Sequence, residues 1–498
     1  MLLSAIIGQT DLTPKNLSEL SKAADTDITS IIYDSRRAVS GSLFVCLRGA
    51  RADGHAFASS AYELGCRVFA AEEALDLPPD ATVLLFENTR IALAELSAAF
   101  FAHPERKLKL VGVTGTKGKT SVTEMLRCIL SESGINAGSI GTDGITYGDV
   151  HEATLNTTPE SFELFCTFDR MKRAGVEVCV MEVSSQAYLT HRVHGITFDI
   201  GIFTNLAPDH IGEGEHPDFL NYLECKAMLF KNCRFGIFNA DDKYTTDMRR
   251  GALCIQSTYA IDTAADLVGR NIARTRSDNF MGVSFDACDF SDSLKLRLPR
   301  PGKYSVYNAL AATAAARRLG ADNDSVSRAL ETCKIPGRFE IVDALDFCTF
   351  VIDYAHNGLS MKNLLSTVRE YNPSRIVVLF GSVGSRTELR RRELGDACAL
   401  GADFSIITSD NPDFEDPEAI IDDIELSFKS RAAPYVRITD RAEAIRYAVR
   451  HACPGDVIIL AGKGHERYQL IRGEHIPFDE RSIIENEAQA LKAELLKA

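Results

Sequence analysis

A chain of 498 residues is too long for one hydrophobic core, and at roughly 100–200 residues per domain it divides into about three domains. Apolar residues make up 45% and charged residues 25%, the balance of an ordinary globular protein. The formal net charge of −14 argues against nucleic acid or an anionic membrane as partner, because both reward a basic surface, so anionic ligands must be held by local sites.

The opening stretch, MLLSAIIGQTDLTPK, has no basic segment and no sustained apolar run, so neither a signal peptide nor membrane insertion is expected and the chain is assigned to the cytoplasm. From 31 to 101, short β-like runs at 43–47, 68–70 and 83–86 alternate with helical patterns at 55–64 and 91–101, the grammar of a small α/β unit. The polar seam His103-Pro104-Glu105-Arg106-Lys107 ends it, giving a first domain of 1–106. A second block, 107–337, carries helices at 121–133, 161–174 and 304–319 and strands at 177–182, 200–204 and 235–239, with an irregular strand-rich stretch over 241–298. The third, 338–498, alternates again. It has strands at 350–354, 375–380, 404–408 and 457–461 and helices at 359–371, 388–400, 417–429 and 441–451. Strands and helices in turn imply a parallel, Rossmann-like sheet, so the fold class is α/β in three domains. Thirteen cysteines without C-x-x-C or zinc spacing read as reduced, mostly buried small apolar residues.

The second block opens with LKLVGVTGTKGKT, a strand that stops, a bare loop and a helix from about Lys119. Gly115 and Gly118 let the backbone approach a ligand, the successive amides around Thr116 and Lys117 point inward, and the helix, with Ser121 in its first turn, presents the positive end of its dipole. That is a phosphate cradle. Lys119 supplies a cation for the β- and γ-phosphates of ATP, and Thr120 a hydroxyl for Mg²⁺. The spacing departs from the usual P-loop, since Val113 stands where a glycine is expected and the nearest glycine is Gly112.

Other polar clusters follow apolar strands, where open α/β sheets place ligand-binding residues. Glu182, in MEVSS, is a candidate Mg²⁺ ligand; read alone it is a solvated carboxylate at a strand end. TNLAPDH offers His210 beside a hydroxyl, an amide and a carboxylate, and LECKA places Lys226 on a helix, where in isolation it is a surface lysine. In the third block DYAHN, SDNPD and AGKGHE all fall at or just after strand ends, hence at one edge of one sheet.

Taken in order, TGTKGKT, NTTPE, MEVSSQAYLTHRV, FTNLAPDH, YLECKAMLF, GRFE, DYAHN, SDNPD and AGKGHE resemble the Mur ligases. DSR, GSLFV and ADGH in the first block resemble the member that adds the third residue, acting on UDP-N-acetylmuramoyl-L-alanyl-D-glutamate. The resemblance implies a UDP-binding domain, a central ATPase domain and a C-terminal domain for the incoming amino acid, working as a monomer on small-molecule substrates in peptidoglycan precursor synthesis. It implies that Ser35 and the turn Ala50, Arg51 and Ala52 meet the uridine end. Asn156, Thr157, Thr158, Ser184, Thr190 and Arg192 are implied to hold the UDP-sugar-peptide. Asn308, Arg338, Asp353 and His356 join the loop in binding ATP. Arg386, Asp410, Asn411, Pro412, Asp413, Gly462 and Glu466 take the amino acid. Lys226 matches the lysine this family carbamylates, which makes it a Mg²⁺ ligand with Thr120 and Glu182, and His210 joins Lys119, Glu182 and Lys226 as catalytic. A folylpolyglutamate-synthetase-like ligase shares the central and C-terminal plan, but the DSR block argues against it.

Two positions depart from relatives: Thr190 stands where some have Gln, and Asp413 where many have Arg. An aspartate facing the distal carboxylate of meso-diaminopimelate at about 4 Å, with an effective dielectric near 20, costs roughly 4 kcal/mol. The expectation from Asp413 is therefore that L-lysine, or a close basic analogue such as ornithine, is added, with meso-diaminopimelate as the alternative.

Overall fold

The computed structural model describes residues 1–49, 52–212, 215–277 and 280–495. The chain forms two compact units. One comprises Met1–Val268, Asp289–Asp292 and Tyr307–Val326; the other Gly269–Cys288, Ser293–Val306 and the chain from Ser327 onward.

The first unit holds two sheets. Strands Ser30–Ile32, Ser42–Val45, Val68–Ala71 and Thr82–Leu85 lie side by side in that order, all parallel. Helix Thr89–Phe100 covers them, starting where Asn88 Oδ1 accepts the N–H groups of Arg90 (2.9 Å) and Ile91 (3.2 Å). The predicted helix at 55–64 resolves into a 3₁₀ turn, Gly54–Phe57, and a short helix, Ala58–Glu63. Asp53 closes the turn by accepting the His55 N–H at 3.0 Å.

The second sheet explains where the phosphate loop sits. Its parallel strands run in the order Ile255–Ala260, Cys233–Asn239, Phe198–Phe203, Lys109–Thr114, Val178–Glu182 and Ala137–Gly141. The hairpin Gly144–Tyr147 and Val150–Glu152 continues it antiparallel. Lys109–Thr114 is interior because Leu110, Val111 and Val113 are buried on both faces, as parallel sheets covered by helices require. The Thr114 carbonyl edge therefore opens between Glu182 on one neighbour and Thr204, just past the end of the other. The irregular stretch over 241–298 becomes helix Thr245–Arg249 and strands Ile255–Ala260, Leu267–Ser277, Phe280–Cys288 and Ser293–Leu298.

In the second unit six strands run Glu340–Val342, Thr349–Asp353, Asp456–Ala461, Arg375–Phe380, Phe404–Ile407 and Tyr435–Arg437, the first antiparallel and the rest parallel. Asp456–Ala461 is central and buried throughout. Pairing of Asp353 with Ala461 and of Phe380 with Ile407 brings the segments after these strands to one edge. Met281, from Phe280–Cys288, packs into the same core as Val351, Phe380 and Val457, and the Tyr371 hydroxyl donates to the Gly282 carbonyl at 2.6 Å. A hairpin, Tyr468–Ile471 and Glu474–Pro477, and helix Glu480–Leu495 finish the unit.

Candidate active site

The phosphate loop has the predicted shape. Gly115 sits at φ +148, and a Cβ there would lie 1.9 Å from Thr204 Oγ1; Gly118 sits at φ +88, with Asn308 Oδ1 2.5 Å from where a Cβ would be. A side chain at either position is strained, and Asn308 stands against the loop at Gly118. Thr204 Oγ1 donates to the Lys117 carbonyl (2.7 Å), and Asn205 binds Lys117 through both its amide atoms. Thr116 Oγ1 lies 3.0 Å from the Tyr222 hydroxyl, and helix Lys119–Glu132 begins directly behind the loop with Ser121 in its first turn.

Two lysines converge on this loop. Lys119 Nζ donates to the carbonyls of Gly115 (2.9 Å) and Thr116 (3.3 Å), and Lys226 Nζ donates to the same Gly115 carbonyl at 3.0 Å. Lys226 is 2% exposed, not a surface lysine. Burial, and next the Lys119 ammonium, hold its amine well below the usual lysine range. Glu182, 1% exposed, accepts at Oε1 from the Thr120 hydroxyl and the Thr142 N–H, both at 2.9 Å. It is a buried, bonded carboxylate aimed at the helix start, and Thr142 is a partner that no sequence motif marks.

His210 stands differently from the rest of the expected catalytic set. Its backbone is at φ +56 and its exposed ring lies 3.1 Å from Glu215, whereas His216 is fully buried between Asn221 (2.7 Å) and Ser185 (2.8 Å). A lone histidine in a polar loop carries no pattern that separates the two from sequence.

The residues implied to hold the sugar-peptide gather beside Glu182. Thr158 Oγ1 donates to the Glu182 carbonyl (2.9 Å) and accepts the Ser184 N–H (3.1 Å), while Thr157 Oγ1 lies 3.1 Å from Thr142 Oγ1. Arg192 donates to the Thr158 carbonyl (3.1 Å) and pairs with Glu160 (2.9 Å). Asn156 is exposed, and the Thr190 hydroxyl turns back to the Gln186 carbonyl of its own helix at 2.7 Å. In the N-terminal sheet Ser35 opens a 3₁₀ turn beside the Asp34–Arg36 ion pair, and Ala52 is exposed. Ala50 and Arg51 lie outside the described residues.

The second unit has its own constellation at the strand edge. Lys463, fully buried, donates to Asn411 Oδ1 (2.8 Å) and lies 3.4 Å from both Asp410 Oδ1 and Glu466 Oε2. Asn411 Nδ2 donates to Glu466 Oε2 at 2.8 Å, and the Tyr354 hydroxyl lies 3.4 Å from Glu466 Oε1. Gly462, at φ +109, leaves room for Asp410. Arg441, 1% exposed, pairs with Glu480 (2.8 Å) and donates to the carbonyls of Ser409 (3.2 Å) and Ala461 (2.9 Å). Lys463, Arg441 and Glu480 were not singled out from sequence; the buried charge on Arg441 and Glu480 has no local signature in a helical pattern.

Three nucleotide candidates lie in this unit. The Arg338 guanidinium stacks 4.3 Å over the Tyr354 ring, and His356 Nδ1 bonds the Tyr354 carbonyl at 2.8 Å. Asp353 is occupied by the backbone, since its two oxygens accept the N–H groups of Phe339 and Ala355, each at 2.8 Å, and burial holds its carboxyl above the usual range. Burial, then Arg338, lowers His465 to about 4, so its ring is neutral at neutral pH. Arg386 is exposed on the loop before helix Glu388–Gly401.

Asp413 corrects the charge argument made from sequence. It sits at φ +53, its N–H donates to the Leu470 carbonyl (3.0 Å), and its carbonyl accepts from Arg472 (2.8 Å). Its Oδ1 accepts the Gly473 N–H at 2.8 Å. The carboxylate closes the tip of the Tyr468–Pro477 hairpin, next to Pro412, so the hairpin sets its direction. Sequence spacing gives no view of a hairpin about 60 residues away.

Comparison with known proteins agrees with this layout. Residues 27–101 match the Mur ligase family catalytic domain, 113–316 the Mur ligase middle domain, and 337–464 the Mur ligase glutamate ligase domain. The UDP-N-acetylmuramoyl-L-alanyl-D-glutamate–2,6-diaminopimelate ligase of Caldanaerobacter subterraneus subsp. tengcongensis is 40% identical over 468 residues, 94% of this chain and 96% of its own. A ligase of the same description from Clostridium acetobutylicum is 39% identical over 92% of this chain and 94% of its own. A solved structure of such a diaminopimelate ligase superposes with TM-score 0.68 at 25% identity, covering 94% of this chain and 96% of its own. MurF ligase from Thermotoga maritima in complex with ADP shares the fold, with TM-score 0.60 at 17% identity over 95% of this chain and 98% of its own. Folylpolyglutamate synthase from the same organism, at TM-score 0.58 and 17% identity, covers only 75% of this chain and 90% of its own.

The chain belongs to the Mur ligase family, with its N-terminal, middle and C-terminal domains. More narrowly, it is an ATP-dependent acid–amino-acid ligase of the UDP-N-acetylmuramoyl-tripeptide synthetase type. The relatives' names overturn the ranking of amino acids drawn from Asp413: diaminopimelate, the alternative, is better supported than L-lysine.

Proposed function

We propose that this chain joins meso-diaminopimelate to the D-glutamate side-chain carboxylate of UDP-N-acetylmuramoyl-L-alanyl-D-glutamate. The observation that carries the choice of amino acid is identity of about 40% across nearly the whole chain to ligases named for 2,6-diaminopimelate. The hydrogen bond from Gly473 ties the Asp413 carboxylate to the hairpin tip, a structural role that the charge argument did not count. Phosphate release measured with an amino-acid panel at equal concentration tests it: meso-diaminopimelate is expected to lead, and a lead for L-lysine or ornithine overturns the reading.

The reaction follows from charge. The substrate carboxylate attacks the γ-phosphorus of ATP, the bond to the β-phosphate oxygen breaks, and ADP leaves an acyl phosphate. The amine of the incoming residue then attacks the acyl carbon, the tetrahedral intermediate expels phosphate, and the ammonium proton passes to solvent or a base. Gly115 to Ser121, with Asn308 behind Gly118, hold the phosphates, and Lys119 neutralises charge on the transferring group. Thr157, Thr158, Ser184 and Arg192 hold the acceptor beside Glu182. Ser35 and the following turns hold the uridine, and Asp410, Asn411 and Glu466 take the amino acid.

Mg²⁺ fits the oxygen donors at the helix start. Among the described residues no cluster of three or more His, Cys, Asp or Glu side chains could hold a metal, so Thr120 and Glu182 need a further oxygen donor. Carbamylation of Lys226 supplies it. The neutral amine favoured by burial adds to CO₂, the N–C bond forms, one N–H proton leaves, and the neutral amine becomes an anionic carbamate. When bound, Mg²⁺ would screen the repulsion between carboxylate and triphosphate. The reaction is placed in the cytoplasm, in keeping with its use of ATP; among the described residues no helix is long and apolar enough to cross a membrane.

A further inference from the structure

We propose that Lys463 is a positioning residue for the incoming amino acid, acting through Asn411 and Glu466. The inference rests on the proposed placement of that amino acid at the strand edge of the second unit. Lys463 has no exposed surface, so its ammonium cannot meet bulk solvent and cannot be a generic surface charge. It lies against three oxygens of three different side chains: Asn411 Oδ1 at 2.8 Å, Asp410 Oδ1 and Glu466 Oε2 at 3.4 Å.

That arrangement fixes the Asn411 amide. Its oxygen receives Lys463 and the Leu470 N–H (3.0 Å), both donors, which leaves its nitrogen to donate to Glu466 Oε2 at 2.8 Å. A flipped amide would put its NH₂ against an ammonium and its oxygen against a carboxylate. Lys463 and the Leu470 N–H together set which way Asn411 points, and Lys463 and Asn411 together hold one oxygen of Glu466. The other, Oε1, lies towards Tyr354, whose hydroxyl burial and next Glu466 keep protonated up to about 12. One cation set between two carboxylates leaves this cluster, with Asp410, Asn411 and Glu466, one negative charge in excess. The neighbouring pair Arg441–Glu480 is closed on itself and does not change that balance. An ammonium of the incoming residue is the complement to such a site.

The test is steady-state ligation with Lys463→Met, Glu466→Gln and the double variant, varying diaminopimelate, ATP and the UDP-dipeptide separately. Lys463→Met is expected to raise KM for diaminopimelate at least tenfold while KM for ATP stays within about twofold. Combined with Glu466→Gln it should cost no more than the worse single change, because both act through one group. Effects that multiply, or KM values that rise equally for all three substrates, overturn the inference. If Lys463→Met does not fold, Lys463→Ala purified with millimolar propylammonium is the second variant. Restoration of KM for diaminopimelate by the amine supports the inference, and failure to restore it sinks it. Glu466→Gln separates the two readings: if it leaves KM for diaminopimelate unchanged, the amino-acid site is misplaced, whereas a raised KM there with a normal one in Lys463→Met rejects Lys463 alone.

Discussion

Lys226 shows how context reverses a residue's meaning. Read alone it is a surface lysine; on its helix it shares a face with Tyr222, Leu223, Leu229 and Phe230, and in the fold it is enclosed, shares the Gly115 carbonyl with Lys119, and stays charged only with difficulty. Lys226→Ala should lower turnover by at least a hundredfold, and short carboxylates such as formate should recover part of it, since they restore an anion and not an amine. A ¹³C-carbamate signal from labelled CO₂, present in wild type and missing from the variant, checks the modification directly. Asp241 offers a test by pH. Burial pushes its carboxyl up, but the N–H groups of Asp262 and Ile261 and the hydroxyls of Thr263 and Tyr307 outweigh this and bring it down to about 2. The folded carboxyl is then more acidic than the unfolded one near 3.9, so its contribution is complete above that value and is lost as pH falls towards 2. Because the group is partly solvated, Asp241→Asn should cost only about 1 kcal/mol near pH 6, with the gap in thermal midpoint from wild type closing as the pH falls towards about 2.

Among the elements, the Tyr468–Pro477 hairpin is where reading from sequence and reading from structure part most clearly. Asp413→Ala removes the acceptor for the Gly473 N–H and should speed amide exchange at the hairpin tip about five- to tenfold, as the loss of one hydrogen bond implies, while leaving the order of preferred amino acids unchanged. A shift towards or away from diaminopimelate in that variant would restore Asp413 as a selector. The long alternating strands and helices of both units were legible because their periodicity is set by burial on known faces: helix 161–174 was expected and Ser161–Arg173 is found. The phosphate loop was legible for the same reason, its glycines being dictated locally by the backbone. Short helices such as Leu3–Ile7 and Ser185–Leu189 span too few turns to show a period, and the C-terminal hairpin alternates too weakly. Long-range pairings were not legible at all. Glu182 with Thr142, Lys463 with Asn411 and Asp413 with Gly473 are facts of tertiary structure that no local window contains.

At the scale of the whole chain, the second unit is not a simple C-terminal segment. Strand Phe280–Cys288 supplies Met281 to its core, and the Tyr371 hydroxyl and carbonyl bind Gly282 and Arg276 from the same stretch. A fragment cut at 338 should therefore expose apolar surface that a fragment beginning at 269 keeps covered. Binding of a hydrophobic dye to the shorter piece, with a broad and early thermal transition, is the expected result. Two fragments with the same sharp transition would show that the stretch before 338 adds nothing to this core.

Strand Asp456–Ala461 is the innermost of its sheet, between Thr349–Asp353 and Arg375–Phe380, yet among the last made. On a ribosome, the strands that flank it emerge first and must wait with their inner edges unpaired for the roughly 80–110 residues that follow, about 4–20 s at ordinary elongation rates. During that interval the nascent chain offers open β-edges to neighbouring polysomes, so slow codons between 380 and 456 should raise the aggregated fraction in cells more than slow codons before 269.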